Sequence, residues 1–278
     1  MKFKFIFTTS SLITVAITTA LLQSLPIQAS KFAVFKNFYI ENQQVVTNNT
    51  SDNSSPVDTT FLRTWPVCTI ISDAQVQAVD TARLFTASFI DESTKARMMG
   101  RSYRADCRVP LADLRLLRMV HCNAKGQTQL GEMVCNKLIA QKLLRIFRRL
   151  YENGYPIEQI RLIDDYEAND LRSMAANNTS CFCYREIVGS AKLSKHSLGL
   201  AVDLNPLYNP YVFTRSGRQQ VQPIEGTRYA YNRSKRNNIP YKIDRTDLAY
   251  RLFKAEGFIW GGDWRSMKDY QHFEHAAN

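Results

Sequence analysis

An α+β fold with a largely antiparallel sheet is predicted by three features of this 278-residue sequence. "LRLLRMVHC" (114–122) and "GEMVCN" (131–136) flank the turn "AKGQTQ", the layout of a hairpin. Residues 137–152 repeat apolar side chains at helical spacing. Two short apolar runs near the C-terminus, "FIW" and "HFE", stand on either side of "GGDW". Hairpins with segregated helices belong to the α+β class.

Taken in order, the chain starts with the basic "MKFKFIF", then the apolar "SSLITVAITTALLQSL", then the small-residue stretch "PIQAS". This is the layout of a secretory signal over residues 1–29, the alternative being an uncleaved anchor. Residues 30–62 include "NQQVVTNNTSDNSSPVDTT", too polar to bury a core, and read as a linker. One globular domain is expected over 63–278. Residues 72–88 read as a helix through Val76, Val79, Leu84 and Phe85. The hairpin follows. In the helix over 137–152, Leu138, Ile139, Leu143, Ile146, Phe147 and Leu150 share a face, and Asn153-Gly154 with Pro156 stops it. "IEQIRLID" reads as a strand, 166–194 as mostly loop, and 200–205 as a strand. The prolines of "NPLYNPYV" limit regular structure there. Residues 246–256 read as a helix closed by Gly257.

A 45% hydrophobic composition supports a buried core. The formal charge is +11, and loss of Lys2 and Lys4 with the signal would lower it by two. The positive charge is dispersed over Arg145, Arg148 and Arg149, over Arg215 and Arg218, and over Arg233 to Arg236. Such a surface suits an anionic cell envelope or simple solvation, and an exported chain has no nucleic-acid partner. No segment after residue 29 is long and apolar enough to span a membrane, so no stable insertion is expected after signal removal. Six cysteines permit disulfides in an exported chain, with pairing left open. Cys181 and Cys183 form a C-x-C that matches neither the usual redox motif nor a zinc-knuckle spacing, and the cysteines are read as structural or free.

Only four histidines are present. His196 and Asp203 lie seven residues apart in "SKHSLGLAVDLNP", and His272 stands in "KDYQHFEH". Imidazole nitrogens and carboxylate oxygens are zinc donors, and a catalytic zinc takes three protein ligands. On an unbroken strand His196 and Asp203 would face opposite ways. A bend at Gly199 would leave His196 in a loop and Asp203 on a strand. Asp203 inside "LAVDLN" would be a buried carboxylate, costly unless paired or metal-bound. Asp269 stands three residues before His272, which on a helical turn would place a proton acceptor beside the ligand.

The pattern S-x-H-x-x-G-x-A-x-D, carried by Ser194, His196, Gly199, Ala201 and Asp203, occurs together with "GGDW" and D-x-x-H-F-E at 261–274. These motifs resemble those of the M15 metallopeptidases, which include D-alanyl-D-alanine carboxypeptidases and L-alanyl-D-glutamate endopeptidases of bacterial walls and phage endolysins. The segment "SMAANNTSCFCYR" (173–185) is similar to the L,D-acting subgroup. The resemblance extends over about residues 95–275. It implies the small DD-peptidase/hedgehog type of α+β fold. It implies a Zn2+ cofactor held by His196, Asp203 and His272, and Asp269 as catalytic acid/base. It implies that Arg185 holds a substrate carbonyl or carboxylate and that Ser194 orients substrate or a ligand. The subgroup's "FNYR" has Cys183 in place of Asn here, which leaves the role of that side chain open. The implied partner is a peptidoglycan stem peptide, cut preferentially at L-Ala–D-Glu, the alternative being D-Ala–D-Ala. Glu274 is a candidate hydrogen-bond partner of a ligand histidine. His121 is read as a core or sheet residue, His275 as exposed, and Trp260, Trp264 and Tyr184 as core. Two rival classes stand beside the peptidase: an inactive binding module of the same fold, and a thiol oxidoreductase using Cys181 and Cys183.

Overall fold

The computed structural model describes residues 60–187 and 192–276. The expected export signal, and residues 30–59 of the expected linker, lie outside them. The described chain is α+β, as expected.

The chain enters through a single turn, α1 (Phe61–Thr64), and a short helix, α2 (Asp73–Gln77), started by a capping box between Ser72 and Gln75. The helix expected over 72–88 stops there. Asp80 caps a 3-10 turn at Thr81–Leu84, and Phe85–Ser88 is a strand, β1, paired antiparallel with the next strand. Two short pieces bury Val76, Val79 and Leu84 as well as one helix would, and strand pairing satisfies the backbone beyond them. After α3 (Glu92–Met98), β2 (Leu114–Cys122) and β3 (Thr128–Asn136) form the expected hairpin. Its ladder runs from Leu114 opposite Asn136 to Cys122 opposite Thr128, so β3 begins before the expected Gly131.

The long helix α4 (Lys137–Glu152) follows at once, because the Asn136 side chain accepts a hydrogen bond from the Leu138 N–H. It buries Ile139, Leu143, Ile146, Phe147 and Leu150, and it packs on β2. Leu138, expected on that face, is exposed at 54%. It sits in the first turn, at the edge of the apolar stripe.

The strand expected over 157–164 contracts to β4 (Gln159–Ile160), since Ile163–Tyr166 coils into a 3-10 turn. The expected loop after it contains α5 (Asp170–Ala175) and β5 (Asn178–Thr179), and β4 and β5 pair in parallel. β6 (Ala201–Asp203) lies inside the expected 200–205 strand. A second hairpin, β7 (Tyr211–Arg215) with β8 (Arg218–Gln222), was not foreseen. Its prolines fall just before and after the ladder rather than within it. Then come α6 (Thr227–Ala230), α7 (Leu248–Ala255), β9 (Ile259–Trp260), β10 (Lys268–Asp269) and β11 (His272–Glu274).

The antiparallel pairing is divided among three small sheets, ordered β1-β2-β3, β10-β7-β8 and β6-β11-β9. The third sheet rests on the main core: Val202 and Phe273 are fully buried, and the Phe273 ring stacks on Phe253 of α7 at 4.2 Å. Trp260 and Tyr184 are buried, as expected. His121 is a core residue whose Nδ1 lies 2.9 Å from the Ile157 carbonyl oxygen, and burial pushes it down to about 4, so it is neutral. His275 is half-buried against the Phe258 ring, at 5.1 Å, rather than exposed. No helix among the described residues is long and apolar enough to cross a membrane.

Asp247 caps α7, accepting from the Ala249 N–H at 2.8 Å and from the Tyr155 hydroxyl at 3.2 Å. Burial pushes its carboxyl up to about 6. Its unfolded value is near 3.9, so the folded state prefers the neutral acid. The stability this confers is complete below pH 4 and is lost as pH rises through about 6. Asp247→Asn keeps the cap and cannot ionise. It is expected to be about 1–2 kcal/mol more stable than wild type at pH 8 and equal to it near pH 4, measured by denaturant unfolding. A variant less stable than wild type at pH 8 would overturn the assignment.

Candidate metal centre

Ser194 N-caps the 3-10 turn Lys195–Leu198, its hydroxyl oxygen accepting the His196 N–H at 3.2 Å. Gly199 ends that turn at φ +65°, a conformation in which a side chain is strained. This is the bend needed to reconcile the seven-residue spacing: His196 stays on the turn, and the chain straightens into β6, which ends on Asp203. A Cβ on Gly199 would also meet the Asn136 backbone nitrogen at 2.7 Å. Gly199→Ala is expected to cost about 2–4 kcal/mol from the left-handed backbone and the overpacking together. A lowered urea midpoint would report it, and an unchanged midpoint would show that the turn relaxes freely.

β11 then brings in the last donor. His272 is the direct ladder partner of Asp203, 69 residues away in sequence. The result is a buried triad. His196 Nε2 lies 3.2 Å from His272 Nδ1 and 3.3 Å from Asp203 Oδ2, and His272 Nδ1 lies 3.1 Å from Asp203 Oδ1. The opposite edge of each imidazole is held. His196 Nδ1 is 2.6 Å from the Cys181 carbonyl oxygen, and His272 Nε2 is 3.1 Å from Glu274 Oε2. Those oxygens accept, so the outer nitrogens carry protons, and the two inner nitrogens converge on one spot where a bound cation would take their lone pairs in place of a proton. Tetrahedral ligands at about 2.0–2.1 Å from a zinc ion stand about 3.3–3.4 Å apart. The separation of the two inner nitrogens is close to that edge, and Asp203 meets each imidazole through a different oxygen. One donor atom from each residue lies within 4.8 Å of the others, so the three residues can surround one zinc ion.

The electrostatics agree. Burial alone would raise Asp203, but the charges and hydrogen bonds of His196 and His272 hold it well below the usual carboxylate range. Burial opposes charge on His272, yet its hydrogen bonds to Asp203 and Glu274 outweigh this and push it up to about 10. The cavity is thus built for positive charge, which a metal-free site supplies as a proton.

Asp269 sits beside this triad, though not by the helical turn expected from D-x-x-H. It ends β10, and the chain bends through Tyr270 and Gln271 before β11. A Cβ on Gly261 would stand 2.8 Å from the Asp269 Cβ and 3.3 Å from the His272 Cβ, so the two residues flank one glycine of "GGDW". Asp269 Oδ1 is buried and without a hydrogen-bond partner among the described residues. Burial, reinforced by the Asp203 charge, pushes the carboxyl up to about 8. A nearby divalent cation would favour its ionised form.

Arg185 faces the same region. Its Nη2 lies 2.7 Å from Asp170 Oδ2, and its backbone N–H donates to Ser197 Oγ at 2.8 Å, which ties it to the turn carrying His196. Its Nε is buried and unpaired among the described residues. Asp170, at the start of α5, was missed in the sequence. It stands in an acidic, loop-like stretch, fifteen positions before its partner. Trp264, expected in the core, is half-buried with its ring 5.2 Å from that of His272. Cys183 donates its backbone N–H to the His196 carbonyl at 3.1 Å. Burial pushes the Cys183 thiol up to about 12 and raises Cys181 well above the ordinary thiol value, the opposite of a reactive thiolate. That argues against the oxidoreductase reading. A surface hollow of about 300 Å³ between α4 and α7 includes no residue of this centre.

Residues 188–275 match the family model described as D-alanyl-D-alanine carboxypeptidase, an M15 peptidase family. The matched segment contains His196, Asp203, Asp269, His272 and Glu274, and begins just after Arg185. No solved structure matches the chain.

Proposed function

We propose, for a chain whose residues 188–275 are of the M15 peptidase family, an exported zinc peptidase that hydrolyses peptidoglycan stem peptides. The observation that carries this is the buried cluster of His196, Asp203 and His272, which can offer one donor atom from each residue within 4.8 Å of the others. An inactive binding module has no need for inward lone pairs, outer-edge hydrogen bonds and an adjacent buried carboxyl together. Export rests on the N-terminal composition, and the basic surface suits an anionic envelope.

Bound zinc would supply Lewis acidity toward the scissile carbonyl and toward the attacking water. The chain's own groups do the rest. Asp269 accepts the proton of that water at its carboxylate and passes it to the leaving amine. Arg185, aimed by Asp170, holds the oxygen on which charge develops. Glu274 and the Cys181 carbonyl keep the two imidazoles in the tautomers that present lone pairs inward.

The bond proposed is L-Ala–D-Glu, on the likeness of residues 173–185 to the L,D-acting subgroup. The matched family's own description favours D-Ala–D-Ala, which stands as the second reading. Zinc-loaded protein is incubated with a defined muropeptide pentapeptide, and the products are identified by mass. Free D-Ala with an intact L-Ala–D-Glu bond would overturn the bond preference. No cleavage of either bond would overturn the peptidase.

A further inference from the structure

Arg185 has a second face. Beside it lies a cleft of about 150 Å³ lined by Arg104, Asp106, Arg108, Tyr184, Arg185 and Glu186, with Leu193 at its side. Its two walls are pinned to each other. The Tyr184 N–H donates to the Ser102 carbonyl at 2.9 Å, and Ser102 is itself fixed by Asp164, through its N–H at 3.0 Å and its hydroxyl at 2.8 Å. The Tyr103 hydroxyl donates to the Val109 carbonyl at 2.8 Å, closing the loop that carries both arginines. The cleft is therefore a built feature, continuous with the centre through Arg185.

Its charges are unevenly matched. Asp106 takes Arg104, at 3.1 and 3.2 Å, and Asp170 takes Arg185. Arg108 is exposed and makes no hydrogen bond or ion pair among the described residues. Arg185 keeps its Nε unpaired as well. The free Arg108 guanidinium thus borders the same small cleft as Arg185, and guanidinium donors suit a planar oxyanion.

We propose that this cleft is a carboxylate subsite, in which Arg108 is a specificity residue that binds a free carboxylate of the substrate next to the group held by Arg185. The inference rests on the peptidase reading above. In a stem peptide with lysine at the third position the carboxylate has two sources, the α-carboxylate of γ-linked D-Glu and the C-terminal carboxylate.

Three forms of L-Ala-γ-D-Glu-L-Lys-D-Ala-D-Ala separate them: the free peptide, the D-Glu α-amide and the C-terminal amide. Binding is titrated calorimetrically to zinc-loaded Asp269→Asn protein, so that turnover is not needed, with and without Arg108→Ala. One of the two amides is expected to bind on the order of tenfold more weakly than the free peptide. That difference is expected to vanish in Arg108→Ala and to return partly in Arg108→Lys. The amide that loses affinity identifies the carboxylate. Equal binding of all three forms, or an Arg108→Ala protein that still distinguishes them, would overturn the subsite. Cleavage of the free peptide by wild-type protein is followed in parallel. Failure there with carboxylate discrimination intact counts against the peptidase and not against the subsite.

Discussion

Asp203→Ala protein is expected to come through metal equilibration without zinc, while wild type carries one zinc ion per chain. Removing this carboxylate takes away one of three donors and the anion that balances the two imidazoles. Loss of a mere supporting group costs about 10–100-fold in metal affinity, so loss of a ligand is expected to exceed 100-fold. His196→Ala and His272→Ala should behave alike. Glu274→Gln belongs to the milder class, because it loosens only the outer edge of His272, at 3.1 Å. Elemental analysis alongside circular dichroism separates metal loss from unfolding. Full zinc occupancy in folded Asp203→Ala or His196→Ala protein would sink the assignment.

Asp269→Asn is expected to keep its zinc and lose on the order of 10² or more in turnover. The amide has the size of the carboxyl and can sit beside Gly261 in the same way, but it cannot accept the proton of the attacking water. The buried, unpaired Oδ1 is the atom this predicts to matter. Metal content and rate are measured on the same preparation. Normal turnover with zinc bound would move the proton transfer elsewhere, and Glu274 would be the next residue to test.

What could be read in the sequence depended on how local the determining physics was. The β2–β3 hairpin and α4 announce themselves through turn residues, spacing and a side-chain cap, all within a few positions. The triad was legible because Gly199 explains an otherwise awkward spacing. The short elements were not legible in the same way. α2 and β1 share an apolar pattern that one longer helix would satisfy equally. The β7–β8 hairpin is mostly exposed on β8, so it lacks the apolar alternation that marks a strand. The Asp170–Arg185 pair depends on where an irregular loop returns, and residue spacing carries no trace of that. The D-x-x-H motif was correct in bringing Asp269 beside His272 and wrong in its means, since a bend between strands does what a helical turn would have done.

The pairing of β11 between β6 and β9 has a consequence for biosynthesis. Asp203 and His196 are in place once β6 has formed, but the third donor arrives only with residues 272–274. A nascent or truncated chain lacking that strand has two donors facing each other and no complete cage. Ladder closure over 69 residues is a late, high-contact-order event. The proposed metal centre is therefore incomplete until synthesis has passed His272 and the final strand has docked.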